Sequence, residues 1–319
     1  MVSQWMRRTV LAGACASVAL LAACGSSTID SAISPTRLVA FGDAMSDTGQ
    51  KGTAYTVNVT DGTLRNWTEQ FGAQWGLSAK PASQGGYNFA QGNARIHLKP
   101  DAAGDATTPT VQEQINRYLA GQAPGAQDIV LVGAGTSDLI AGMAQVRAGD
   151  VLPATYVAQA RQWGEALAVQ VRRLVAAGAT HVVLAGVYDL GKTPWATVIG
   201  QQALLTEASR AFNTGLQVSL VDLGKNVQYV DLEYYVNLYS EYPGSYGFDN
   251  VAQAVCTSID AGNGIGTGTG LVNSALCTPT TLLAGANYDR FVFADGVYLT
   301  PSAQRQFGYY AVDKVRARW

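Results

Sequence analysis

The chain has 319 residues, of which 48% are hydrophobic and only 14% charged, with a formal net charge of −2. That length suits one large α/β domain or two small ones, and that hydrophobicity excludes a largely disordered chain. The near-neutral balance gives no electrostatic case for a nucleic-acid partner or for adsorption to an anionic membrane.

In chain order, the first stretch reads as a targeting segment. Arg7 and Arg8 form a basic n-region, and Val10 to Leu21 an apolar run too short for a stable membrane span. Leu21-Ala22-Ala23-Cys24 resembles a bacterial lipobox, whose cysteine becomes the lipidated first residue of the mature chain. An ordinary secretory signal beside a cysteine is the alternative. Gly25, where an aspartate would signal inner-membrane retention, points to an outer-membrane lipoprotein facing the periplasm or the exterior. Residues 1–23 are thus expected to be a signal peptide, 24–36 a tether, and 37–319 one domain. Cys15 leaves with the signal and Cys24 carries lipid, so Cys256 and Cys277 remain as an even pair in an oxidising compartment. A disulfide between them would stabilise by about 3 kcal/mol on the chain-entropy argument.

Leu38 to Phe41 is a continuous apolar run, the pattern of a strand buried on both faces. Lys51 to Leu64, with its alternating Ala54-Tyr55-Thr56-Val57-Asn58-Val59-Thr60, reads as a hairpin or a surface excursion. Asn66 with Glu69 marks a helix start, and Trp67, Phe71 and Trp75 at four-residue spacing form its core face. Further strands are expected at Ile129–Val132, His181–Val187 and Val227–Leu232, with helices at Tyr156–Ala177, Leu204–Asp222 and after Thr300-Pro301. This alternation argues a parallel sheet covered by helices on both faces. Gly262 to Gly270 lacks the spacing of a nucleotide loop and reads as a mobile surface loop within the disulfide, or as a lid.

Chemistry concentrates in four blocks. Gly42-Asp43-Ala44-Met45-Ser46-Asp47-Thr48-Gly49 follows the first strand. Asn88-Phe89-Ala90-Gln91-Gly92-Asn93-Ala94-Arg95, Gly135-Thr136-Ser137-Asp138 and Asp295-Gly296-Val297-Tyr298 come later. Together they resemble the signature blocks of the GDSL or SGNH family of serine esterases, and flanking matches extend the resemblance from Val39 to the C-terminus. The resemblance implies a three-layer α/β/α sandwich with a parallel central sheet, flavodoxin-like, acting on acyl esters without metal or cofactor. It also assigns positions. The nucleophile falls at Ala44, the triad acid at Asp295 and the triad histidine at Tyr298. The oxyanion donors fall at Gly92 and Ser137, the latter where the family has asparagine. Such donors stabilise charge that develops in the transition state. A phenol titrating near pH 10 is a poor general base at neutral pH. The only histidines, His97 and His181, match no catalytic position. Ser46 is the nearest surviving hydroxyl and the candidate substitute nucleophile.

The expectation is a lipid-anchored pseudoenzyme of the cell envelope. Asp43, Gly92, Ser137 and Tyr298 would line a polar pocket for an acyl ester or acetylated glycan, with Tyr298 donating to Asp295. Alternatives are an active carboxylesterase of non-standard mechanism, or a structural protein with an envelope partner. The Tyr-rich run Glu233–Tyr239 is either that partner patch or packing around the fourth strand. Membrane contact is expected only through the lipid.

Overall fold

The structure is a computed structural model that describes residues 33–319. The signal peptide, Cys24 and the tether up to residue 32 lie outside the described residues.

Four apolar runs form the central sheet: β1 (Arg37–Gly42), β2 (Asp128–Gly133), β3 (Val182–Ala185) and β4 (Val227–Val230). They are ordered β1-β2-β3-β4 and all parallel, with Leu38 opposite Ile129 and Gly42 opposite Gly133. β1 and β2 are buried on both faces, as a sheet sandwiched between helices requires. The segment around Asn88 adds itself to the outer edge of β1: Ala40 donates to the Tyr87 carbonyl and Phe89 to that of Ala40, at 3.0 and 2.7 Å. With that edge counted, the order by chain position is 2-1-3-4-5, the flavodoxin-like arrangement.

The helices are α1 (Trp67–Ala73), α2 (Val111–Gly121), α3 (Thr136–Ala148), α4 (Pro153–Ala176), α5 (Pro194–Ile199), α6 (Gln202–Val218), α7 (Leu232–Glu241) and α8 (Pro301–Arg316). α1 packs on α8 on one face, while α2, α3 and α6 gather around α4 on the other. Asn66 and Glu69 form the expected capping box of α1, and Trp67 and Phe71 enter the core. Trp75 falls just past the helix, where its ring lies 4.9 Å from that of Phe71. The Tyr-rich run is helix α7: Tyr235 stacks on Tyr310 at 4.2 Å, and Tyr239 donates to the Ala303 carbonyl at 3.0 Å. Most of it is therefore packing against α8.

Residues 250–299 form a largely irregular lobe around a short pair, β5 (Asn250–Ala254) and β6 (Phe291–Phe293), and the disulfide Cys256–Cys277. Lys51–Leu64 is neither hairpin nor free excursion. It has no strand, and Val57 and Val59 are buried against the disulfide with Val255 and Ala294. Nor does the Gly262–Gly270 loop stand away from the body. Ile265 is buried, and Asn93 and Asn263 side chains bridge the loop to the preceding segments through the Gly264 and Ala103 carbonyls, both at 3.0 Å. No helix among the described residues is long and apolar enough to cross a membrane.

Candidate functional site

β1 ends where its backbone nearly touches that of β2. A Cβ on Gly42 would sit 2.0 Å from the Gly133 carbonyl oxygen, and its φ of +152° suits only glycine. This turn delivers Asp43 to the carboxyl end of the sheet. Its carboxylate accepts from the Met45, Gly135 and Ser137 N–H groups at 3.2, 3.0 and 3.3 Å, joining the β1 turn to the start of α3. Burial without a cationic partner pushes its pKa up to about 7.

The residues assigned by resemblance meet here, and all are buried. Ala44 follows Asp43 and offers only a methyl group. Asp295 is not held by a phenol as expected. It accepts from the Ser274, Val297 and Tyr298 backbone N–H groups at 3.0, 2.7 and 2.6 Å. The Tyr298 hydroxyl has no hydrogen-bond partner among the described residues, and the residue is 0% exposed. Burial, then the Asp43 charge, hold its pKa well above the usual phenol range. The Ser137 hydroxyl is likewise buried and unpartnered.

Gly92 is the decisive position. Its N–H donates to Asp47 Oδ2 at 2.8 Å, and the same carboxylate accepts from Gly49 and Gln50. An oxyanion donor must be free for substrate, and this one is engaged. The Tyr55 ring also lies directly on Gly92, so close that a Cβ there would fall 1.8 Å from a ring carbon. The same ring meets Tyr298 edge-on, 5.6 Å between centroids. Tyr55 thus joins Tyr298, an expected lining residue, beside Gly92. Neither Asp47 nor Tyr55 was assigned from sequence; the small, polar context of Lys51–Leu64 concealed a segment that packs across the site.

Ser46 is no available nucleophile. It is fully buried, donates to the Gly133 carbonyl at 3.2 Å and accepts from the Trp67 indole at 3.3 Å. His181 lies at the amino end of β3 against Trp319, away from the site, and His97 is on the surface. A second buried carboxylate, Asp138, accepts from the Ile96 N–H and pairs with Arg95 at 3.4 Å. Desolvation outweighs the arginine and raises its pKa to about 6. The nearest apolar cavity, about 350 Å³, opens beside Gly296 and is walled by Pro194, Trp195, Val198, Ala254 and Leu271. No group of three potential metal ligands occurs among the described residues.

The family described as GDSL-like Lipase/Acylhydrolase matches residues 38–310. The chain belongs to the GDSL family. A member of the lipolytic protein G-D-S-L family from Veillonella parvula DSM 2008, known by its crystal structure, is similar at 10% identity with a TM-score of 0.44; the match covers 87% of this chain and 96% of that one. No curated protein gives a significant match. In this chain the carboxylates Asp43, Asp47 and Asp295 are all held by backbone N–H groups.

Proposed function

We propose that this GDSL-family chain does not hydrolyse esters and serves as a lipid-anchored binding protein of the cell envelope. The observation that carries the reading is the closure over Gly92: its N–H is taken by Asp47, and Tyr55 and Tyr298 fill the space a substrate carbonyl would need. Ala44 at the nucleophile position agrees with it. The lipobox-like Leu21-Ala22-Ala23-Cys24 supports the anchor. A ligand would sit in the apolar cavity beside Gly296, whose Val198 and Leu271 walls suit an acyl chain better than an acetylated glycan.

The test is hydrolysis of short- and medium-chain nitrophenyl esters by the soluble chain from residue 25 onward. Wild type is expected at buffer background. The reversion Ala44→Ser, Ser137→Asn, Tyr298→His stays there too, because Asp47 still holds the Gly92 N–H and Tyr55 still covers it. Enzyme-like turnover by wild type would overturn the proposal and return the reading of an active carboxylesterase with a non-standard mechanism.

A further inference from the structure

The opposite end of the sheet has its own surface chemistry. Thr36 donates to the Gln127 carbonyl at 2.9 Å, and Ile33, Ser34 and Pro35 border a cavity with His181, so the chain enters the fold at the amino ends of the strands. The C-terminal residues reach the same place. Trp319 meets the His181 ring edge-on at 4.9 Å, and Arg318 donates to Gln228 at 3.2 Å and to the Gly224 carbonyl, just ahead of β4.

Cations collect here. Arg173 ends α4, Lys225 precedes β4, and Arg316 and Arg318 close the chain; none of the four is within ion-pair distance of a carboxylate among the described residues. Among the described residues, the Asp128 and Asp222 side chains at this end are already paired with Arg37 and Arg172. Arg173 and Arg316 offset helix dipoles, as cations at helix C-termini commonly do. Lys225 and Arg318 lie outside helices, and that account does not cover them. Nor does it cover the apolar residues nearby in sequence: Val218, the last residue of α6, is 56% exposed, and Val221, on the turn that leads to Lys225, 79% exposed. Arg173 donates to Gln170 and Asn116 and Arg316 stacks on Trp75, but both keep their full charge, and exposed aliphatic groups at the same end as cations without a carboxylate partner suit the boundary between acyl chains and anionic headgroups. A formal charge of −2 conceals this arrangement, because the balancing carboxylates lie elsewhere, several of them buried at the far end of the sheet.

We propose that this face rests on an anionic lipid surface, with Val218 and Val221 at the headgroup boundary and Lys225, Arg318, Arg173 and Arg316 against lipid phosphates. The proposal builds on the lipid-anchored reading above. Residues 25–36 separate Cys24 from the sheet, and at no more than about 3.5 Å per residue they hold this end close to the membrane. Basic patches commonly supply the second attachment that a lipid chain needs.

The chain 24–319 with Cys24→Ser keeps all of the core and hydrogen bonds of the described residues and carries no lipid. It is sedimented with vesicles of phosphatidylglycerol and phosphatidylcholine in equal parts, and with phosphatidylcholine alone. Binding to the anionic vesicles only is expected, lost as salt rises from about 0.01 M to about 1 M and the screening length shrinks from roughly 30 Å to 3 Å. Val221→Ser with Lys225→Glu lowers it by at least about tenfold. Arg147→Glu, an exposed cation beyond the carboxyl end of β2, leaves it unchanged, and thermal melts confirm that both variants are folded. No binding, equal binding to neutral vesicles, or equal loss with Arg147→Glu overturns the proposal. The anchor is tested separately, by release of full-length Cys24→Ser from the membrane fraction of cells, and hydrolysis by the ester assay, so each failure is recognisable by itself.

Discussion

Asp43, Asp47, Asp138 and Asp295, beyond the carboxyl ends of the strands, are buried and each accepts from backbone N–H, whereas Lys225 and Arg318, at the amino ends, have no carboxylate partner among the described residues. The first set is structural. Each carboxylate fixes a loop that would otherwise leave N–H groups unsatisfied, and buried donors need such partners. These carboxylates therefore hold the loops at this end of the sheet in shape by themselves. The second set fixes little in the fold and remains available to a surface.

Breaking the most heavily committed contact should show the contrast best. Arg95→Ala strands the buried Asp138 carboxylate and is expected to cost about 3–5 kcal/mol in denaturant unfolding. Lys225→Ala should stay within about 0.5 kcal/mol. Equal effects would mean that the two ends are not different in kind. A smaller effect comes from pH. Burial raises Asp43 to about 7 and Asp138 to about 6, so the folded state holds protons that the unfolded chain releases near pH 4. Their stabilising contribution is full below that unfolded value and is lost as pH rises through the folded values. Thermal melts should show Tm falling from about pH 6 to about pH 8. His97 and His181, whose pKa values are lowered by partial burial, oppose this only below about pH 6.5. A Tm that climbs across the interval would refute the assignment. The smallest effect is expected from Tyr298→Phe. Removing a buried hydroxyl that has no partner should change stability by less than about 0.5 kcal/mol, or raise it. A loss above about 1 kcal/mol would reveal a partner for that oxygen.

Local signals carried much of this fold. The apolar runs at Leu38–Phe41 and Ile129–Val132 and the caps at Asn66 and Thr300 depend on neighbours in sequence, and they read directly. A similar signal, Thr110 with Glu113, starts α2, a helix absent from the sequence expectation. α3, also absent from it, starts after Gly135 with no side-chain cap, and its first turn holds Ser137 and Asp138. The closure of the site was not legible in the same way. Tyr55 alternates with its neighbours as in a strand, but its segment takes partners far along the chain: Thr56 donates to the Leu299 carbonyl at 2.8 Å and Asn58 N–H to that of Cys277 at 2.9 Å. Alternation records burial, not which distant loop provides it.

The paired rings of Tyr55 and Tyr298 also bear on how this site can change over evolutionary time. Under the proposed reading, serine at 44 alone has no base, histidine at 298 alone has no nucleophile, and either still finds Tyr55 lying on Gly92. No single substitution toward hydrolysis yields an advantage that selection can act on. On that reading the two rings act as a ratchet, because each would have to move before either substitution could matter.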